Sequence, residues 1–116
     1  MKFTSEQLVP WFNHRVYPMV AWVFLHFAMA GVYIIAFGIA GPASGIPLFI
    51  ISVVETLGVL LFVMSTIDDM KRLAADMSDE MKATSFGSSF TGFSVFAVIF
   101  SVLIIAVPVA HGLLFL

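Results

Sequence analysis

The segment PMVAWVFLHFAMAGVYIIAFGIA, residues 18–40, contains no Asp, Glu, Lys or Arg. Two further apolar runs follow it, PLFIISVVETLGVLLFVMSTI at 47–67 and FSVFAVIFSVLIIAVPVAHGLLFL at 93–116. A helix of about 20–24 residues is roughly 30–36 Å long, enough to cross a hydrocarbon core of about 30 Å. The runs lack the alternation of polar and apolar residues that membrane-barrel strands show. The sequence therefore predicts an all-α integral membrane protein with three transmembrane helices.

The composition of the whole chain agrees with this assignment. Of the 116 residues, 61% are hydrophobic and only 10% are charged, whereas about 25% of residues in soluble domains are charged. The five basic residues form no stripe that could bind a nucleic acid, and the chain has no cysteine. These numbers exclude a soluble globular enzyme, a nucleic-acid-binding protein and any thiolate metal site. Membrane lipid is the expected surrounding.

The positions of the basic residues predict the orientation of the chain. In a three-span, up-down-up topology all of them fall on the same side of the membrane, and the positive-inside rule assigns that side to the cytoplasm. The prediction is a bacterial-type inner (cytoplasmic) membrane, with the N-terminus in the cytoplasm and the C-terminus on the outer side. The five basic residues are Lys2, Arg15, Lys71, Arg72 and Lys82.

Two charged segments flank the predicted spans. Residues 1–17 are predicted to be a separate interfacial segment, and Thr4 and Gln7 have the spacing of a capping box. Residues 68–83 (DDMKRLAADMSDEMKA) carry apolar residues at helical spacing opposite a charged face. Because no Gly or Pro separates them from the second span, the second helix is predicted to continue unbroken to about residue 83 in the cytoplasm.

The apolar face of residues 68–83 would be exposed to water on an isolated helix. Either the N-terminal segment or another subunit has to cover it, and the adaptability of methionine surfaces favours a partner protein. Copper handling by the methionines is a less favoured alternative, because the stretch contains no His or Cys. The residues predicted to dock the partner are Met70, Leu73, Met77 and Met81.

Glu55 is the one acidic residue within the predicted spans. With Ser52, Thr56 and Thr66 it forms a polar edge along the second helix. Ionisable residues at this depth are costly and often functional, so Glu55 is either a proton or cation site or a neutral hydrogen-bond donor that joins two helices. The second interpretation is favoured.

His26 and Glu55 are predicted to lie at similar depth. Each follows the proline that begins its span by eight residues, which is about 12 Å along a helix, and the two helices form an antiparallel hairpin. A His26–Glu55 hydrogen bond would satisfy both side chains. The alternative is that His26 ligates the metal of a haem or chlorophyll, for which one intramembrane histidine suffices.

Pro108 introduces a further polar feature in the third span. It removes an N–H, so the carbonyl of Ile104 loses its usual helical partner and a bend is predicted. His111 lies near the outer end of this helix, too far from His26 for the two to share one haem.

The sequence contains no constellation of catalytic residues, so we do not expect an enzyme. The preferred hypothesis is a small structural or accessory subunit of a multisubunit, energy-transducing membrane complex, with other integral membrane subunits as partners and no metal or cofactor. One alternative is an oligomeric transporter or channel in which Glu55 carries a proton or cation. The other is a tetrapyrrole-binding subunit that uses His26.

Overall fold

A computed structural model describes residues 2, 4–89 and 92–116, apart from the side chains of Ser5 and Phe86. Three of its helices are long and apolar enough to cross a membrane, as predicted, and they form a bundle about 59 Å long and about 20 Å wide. The helices are α1 (Ser5–Ala40), α2 (Gly45–Ala75), α3 (Asp79–Lys82), α4 (Ser85–Ser88) and α5 (Phe93–Phe115), and a 3₁₀ turn at Pro42–Ser44 joins the first two.

The long helix α2 packs against both α1 and α5, whereas α1 and α5 have fewer contacts with each other. Because α1 and α2 are antiparallel, the beginning of α1 and the end of α2 lie together, and we call this the charged end of the bundle. The core between the three long helices is built mainly from aliphatic and methionine side chains. Its buried members are Met19, Val59, Val63, Ile67, Met70 and Ile104.

The first helix begins at Ser5 and not at Pro18. The segment predicted to be separate, residues 1–17, is therefore largely the first part of α1, although residues 1 and 3 lie outside the described part of the chain. Gln7 Oε1 accepts a hydrogen bond from the Thr4 N–H at 3.2 Å, which stabilises the start of the helix. Pro10 and Pro18 lie inside α1, and each costs the helix one backbone hydrogen bond. Contacts with the end of α2, described below, hold this part of α1 in place.

The second helix ends at Ala75, so the predicted unbroken helix to residue 83 is wrong. The Asp76 N–H bonds to the carbonyl oxygens of Arg72 and Leu73 at 3.1 and 3.2 Å, which closes the last turn. A new helix, α3, then starts at Asp79 and is capped by Ser78, whose hydroxyl oxygen accepts a hydrogen bond from the Met81 N–H at 3.1 Å. Serine followed by two acidic residues is a strong local start signal, and it competes with continuation of α2.

The methionines predicted to dock a partner are buried within the chain itself. Met70 is part of the three-helix core, while Met77 and Met81 form a second cluster with Leu8 of α1, against which Leu73 packs. The predicted docking surface is therefore corrected to an internal contact. Of the two candidates for covering the apolar face, the N-terminal segment and another subunit, it is the N-terminal segment that covers it. The break in the helix after Ala75 allows these side chains to reach α1.

Candidate functional site

The imidazole ring of His26 joins all three long helices. His26 belongs to α1, and its side chain is fully buried. Its Nδ1 lies 2.9 and 3.1 Å from the two carboxyl oxygens of Glu55 in α2, and its Nε2 lies 3.0 Å from the carbonyl oxygen of Ile104 in α5. The structure thus brings together the two residues whose depth along the hairpin suggested a pair.

The geometry limits where the protons of this group can lie. The carbonyl oxygen of Ile104 can only accept, so Nε2 of His26 must bear a hydrogen. With one proton between Nδ1 and the Glu55 carboxyl group, either a neutral carboxyl donates to Nδ1, or a carboxylate accepts from a doubly protonated ring. Both states have zero net charge, which lowers the cost of placing an acid at this depth.

The bond from His26 to Ile104 also explains how α5 accommodates Pro108. The residue four positions after Ile104 is this proline, which has no N–H to donate. His26 supplies the missing donor from a neighbouring helix. The sequence predicted the unpartnered carbonyl but not its partner. One feature of the sequence could have indicated this partner. A buried histidine that bonds to Glu55 through one ring nitrogen still needs a hydrogen-bond acceptor for its second ring nitrogen.

His111 of α5 forms a second layer of the same kind. Its Nε2 lies 3.0 Å from the carbonyl oxygen of Ala30 in α1, and its Nδ1 lies 2.6 Å from the hydroxyl oxygen of Ser52 in α2. Because the carbonyl can only accept, Nε2 of His111 donates to it, and when the ring is neutral the Ser52 hydroxyl donates to Nδ1. The Tyr33 ring packs against the imidazole at a steep angle and the Phe115 ring stacks on it, with ring centroids at 5.6 and 4.8 Å. Sequence reasoning missed this role of His111.

The predicted polar edge of α2 does not act as one unit. Ser52 and Glu55 bond to other helices, whereas the Thr66 hydroxyl donates to the carbonyl oxygen of Phe62 within α2 at 3.0 Å. The hydroxyl of Thr56 is buried and has no hydrogen-bond partner among the described residues. Thr56 therefore carries the cost of burying a polar group without the gain of a bond.

We expect Thr56→Val to stabilise the bundle by about 1 kcal/mol, because it replaces an unsatisfied hydroxyl with a methyl group of similar shape. The matched control is Thr66→Val, which removes a satisfied hydroxyl and is expected to leave stability unchanged or slightly lower. Equilibrium unfolding in mixed micelles measures both. Destabilisation by Thr56→Val of more than about 1 kcal/mol would show that its hydroxyl has a partner.

The described residues contain no group of three or more metal-binding His, Asp or Glu side chains. Both ring nitrogens of His26 are engaged, so ligation of a haem iron or chlorophyll magnesium would require the bond to Glu55 or to Ile104 to break. The tetrapyrrole alternative stays a prediction that the absorbance spectrum of the purified protein tests, since haem gives a Soret band.

No protein-family model, curated protein or solved structure matches this chain. Its function is therefore inferred from the two histidine layers and from the surfaces of the bundle. The layers cross-link the three long helices through His26, which is 0% exposed, and His111, which is 1% exposed. They place four polar side chains inside an apolar bundle, namely His26, Glu55, Ser52 and His111.

Proposed function

We propose that this protein is a small structural or accessory subunit of a multisubunit membrane complex, with other integral membrane subunits as its partners. One observation carries the proposal. The histidines inside the spans bond to neighbouring helices, while all three long helices present large apolar side chains outward. Phe24 of α1, Leu61 of α2 and Leu113 of α5 are 73%, 72% and 85% exposed.

Small residues on the outer faces add support. Gly31 and Gly38 of α1 and Gly58 of α2 have open space beyond their Cα atoms. Glycine on a transmembrane helix lets a neighbouring backbone approach closely, and such packing drives helix association in lipid. A cross-linked bundle with accessible glycines is suited to pack closely between the helices of neighbouring subunits and to hold those subunits in position.

Site-specific photo-cross-linking in native membranes tests this proposal. A benzoylphenylalanine is placed at Phe24, Leu61 or Leu113, one position on each long helix, and at fully buried Ile104 as the control. We expect at least one outer position to give adducts of defined mass with another integral membrane protein, and Ile104 to give none. Lipid adducts alone from all three outer positions would contradict an accessory role.

We also propose that the charged end faces the cytoplasm of a bacterial-type inner membrane, on the basis of the positive-inside rule. Because the chain has no cysteine, single substitutions Lys2→Cys and Leu116→Cys report one site each. A membrane-impermeant maleimide is expected to label Leu116→Cys in intact cells and Lys2→Cys only after permeabilisation. Labelling of both in intact cells would overturn the orientation.

A second candidate function rests on the accessibility of Glu55. Its side chain is 23% exposed, whereas that of His26 is fully buried. Glu55 is thus the member of the pair whose side chain is partly exposed on the outside of the bundle. This favours, as the alternative, a small oligomeric transporter or channel in which Glu55 accepts and releases a proton or binds a cation.

Glu55→Gln separates the two candidates. The glutamine amide can still donate to Nδ1 of His26 but carries no exchangeable carboxyl proton. If Glu55 transports protons, we expect flux in proteoliposomes to fall to background. If the protein is an accessory subunit, cross-linking patterns stay the same and stability changes by less than about 1 kcal/mol. The control is Glu80→Gln, an exposed acid in α3.

A further inference from the structure

The carboxyl group of Glu55 has hydrogen-bonding capacity that the bundle does not use. Both of its oxygens lie next to the same atom, Nδ1 of His26, at 2.9 and 3.1 Å. With a single hydrogen between that nitrogen and the carboxyl group, one of the two oxygens is left without a donor of its own. The Glu55 side chain is 23% exposed, so a donor for this oxygen has to come from outside the chain.

The side of α2 that carries Glu55 is open toward the outside of the bundle. Ile51 and Gly58 lie one turn before and one turn after Glu55, so the three positions share one face of the helix, which we call the Glu55 face. Ile51 is 50% exposed, and nothing lies within 4 Å of the position that a Cβ at Gly58 would occupy. A neighbouring helix can therefore approach the backbone of α2 closely beside the carboxyl group.

A second copy of this chain in the same orientation does not offer the missing donor. His26, Glu55 and Ile104 bond to one another across the three helices, so residues within three positions of them, all of which the structure describes, define the depth of the carboxyl group. The other polar side chains at this depth are buried or already hydrogen-bonded within the bundle. They are His26, Ser52, Thr56 and Ser101. Two facing Glu55 residues would bring two spare acceptors together.

We propose that another subunit packs a transmembrane helix on the Glu55 face and donates a hydrogen bond to the Glu55 carboxyl group from an uncharged hydroxyl or amide side chain. An uncharged donor fits because the His26–Glu55 pair has zero net charge, whereas a lysine or arginine would add a charge at mid-membrane. The bond removes the cost of an unpaired acceptor in lipid. The inference rests on the accessory role proposed above and adds the place and the chemistry of the contact.

Photo-cross-linking from the Glu55 face in native membranes tests the inference. A benzoylphenylalanine replaces Ile51, and the control position is Val102 of α5, which is 62% exposed and lies two residues from Ile104. We expect Ile51 to give an adduct with a transmembrane peptide of another subunit that carries Ser, Thr, Asn or Gln within one turn of the linked residue. Val102 is expected not to link to that peptide.

Variants of the Glu55 face separate the hydrogen bond from the close approach. At limiting expression, Glu55→Leu is expected to lower the Ile51 adduct yield about fivefold, as the loss of one interhelical hydrogen bond of about 1 kcal/mol implies. Glu55→Gln keeps a carbonyl acceptor and should retain the yield. Gly58→Ile fills the open space, leaves the His26–Glu55 contact in place and should lower the yield by at least as much as Glu55→Leu. The matched control is Ala106→Ile, a similar enlargement at an exposed position of α5.

The possible failures are distinguishable. An adduct with a second copy of this chain, lipid adducts alone from Ile51, or a yield unchanged by Gly58→Ile would each overturn the inference. A linked peptide without a hydroxyl or amide side chain near the linked residue would overturn the hydrogen bond. In all of these cases the accessory role stands if Phe24, Leu61 or Leu113 still gives adducts with another membrane protein.

Discussion

His26→Ala is expected to lower the free energy of unfolding by about 3–5 kcal/mol. The substitution removes a fully buried ring and leaves a cavity between the three long helices. It also takes the hydrogen-bond partner from Glu55 and from the carbonyl of Ile104 at the same time. Both groups are then left unpaired in a surrounding where water is scarce, which adds the cost of desolvation to that of the cavity.

Equilibrium unfolding in mixed micelles or steric trapping in bicelles measures this loss. His14→Ala is the matched control, because it makes the same change at an exposed position of the same helix, and its effect should stay within about 0.5 kcal/mol. A double variant with Glu55→Leu should lose less than the sum of the two single changes, since the residues share one interaction. A loss of less than about 1 kcal/mol in His26→Ala would refute the cross-linking role of the ring.

Gly45→Ala is expected to destabilise the bundle by about 2 kcal/mol through overpacking. A Cβ atom at Gly45 would lie 2.3 Å from the carbonyl oxygen of Phe115, so the backbone at the end of α5 would have to move. This movement would disturb the Phe115 ring, which stacks on both Phe37 and His111 with centroids at 4.8 Å. The substitution therefore weakens the packing next to the second histidine layer.

Gly58→Ala provides the control for this effect. Gly58 lies in the same helix, but nothing is within 4 Å of the position that its Cβ would occupy. Alanine there should be neutral or stabilising by up to about 1 kcal/mol, because alanine favours the helix over glycine. If both variants lost the same free energy of unfolding, Gly45 would not be needed for the close approach of α2 to α5.

The three spans were predictable because a transmembrane helix is defined by local properties, its length and its lack of charge. The paired depth of His26 and Glu55 followed as well, since a short turn makes the first two helices antiparallel and fixes their relative depth. Where local signals compete, the prediction failed. The absence of Gly and Pro after Ile67 suggested continuation of α2, whereas Ser78 and the acids after it start a new helix.

The start of α1 was misjudged for a related reason. A proline such as Pro18 is common as the first residue of a helix, where its missing N–H costs nothing. A proline can also lie inside a helix when other contacts stabilise that helix. Leu8 packs on Met77 and Met81, residues far away in the sequence. Nothing near Leu8 or near the methionines reveals that the two segments meet, so a surface that pointed to a partner subunit is buried by the chain's own first helix.

The sequence by itself determined that the chain is α-helical and spans a membrane three times, because the cost of exposing charge or unpaired backbone to lipid depends only on local composition. Only the tertiary structure decided which groups satisfy the buried histidines. His26 reaches the carbonyl of Ile104 and His111 that of Ala30, across 78 and 81 positions of the chain. In lipid every outer face is apolar, so periodicity does not reveal which helix faces meet, and these bonds follow from the packing alone.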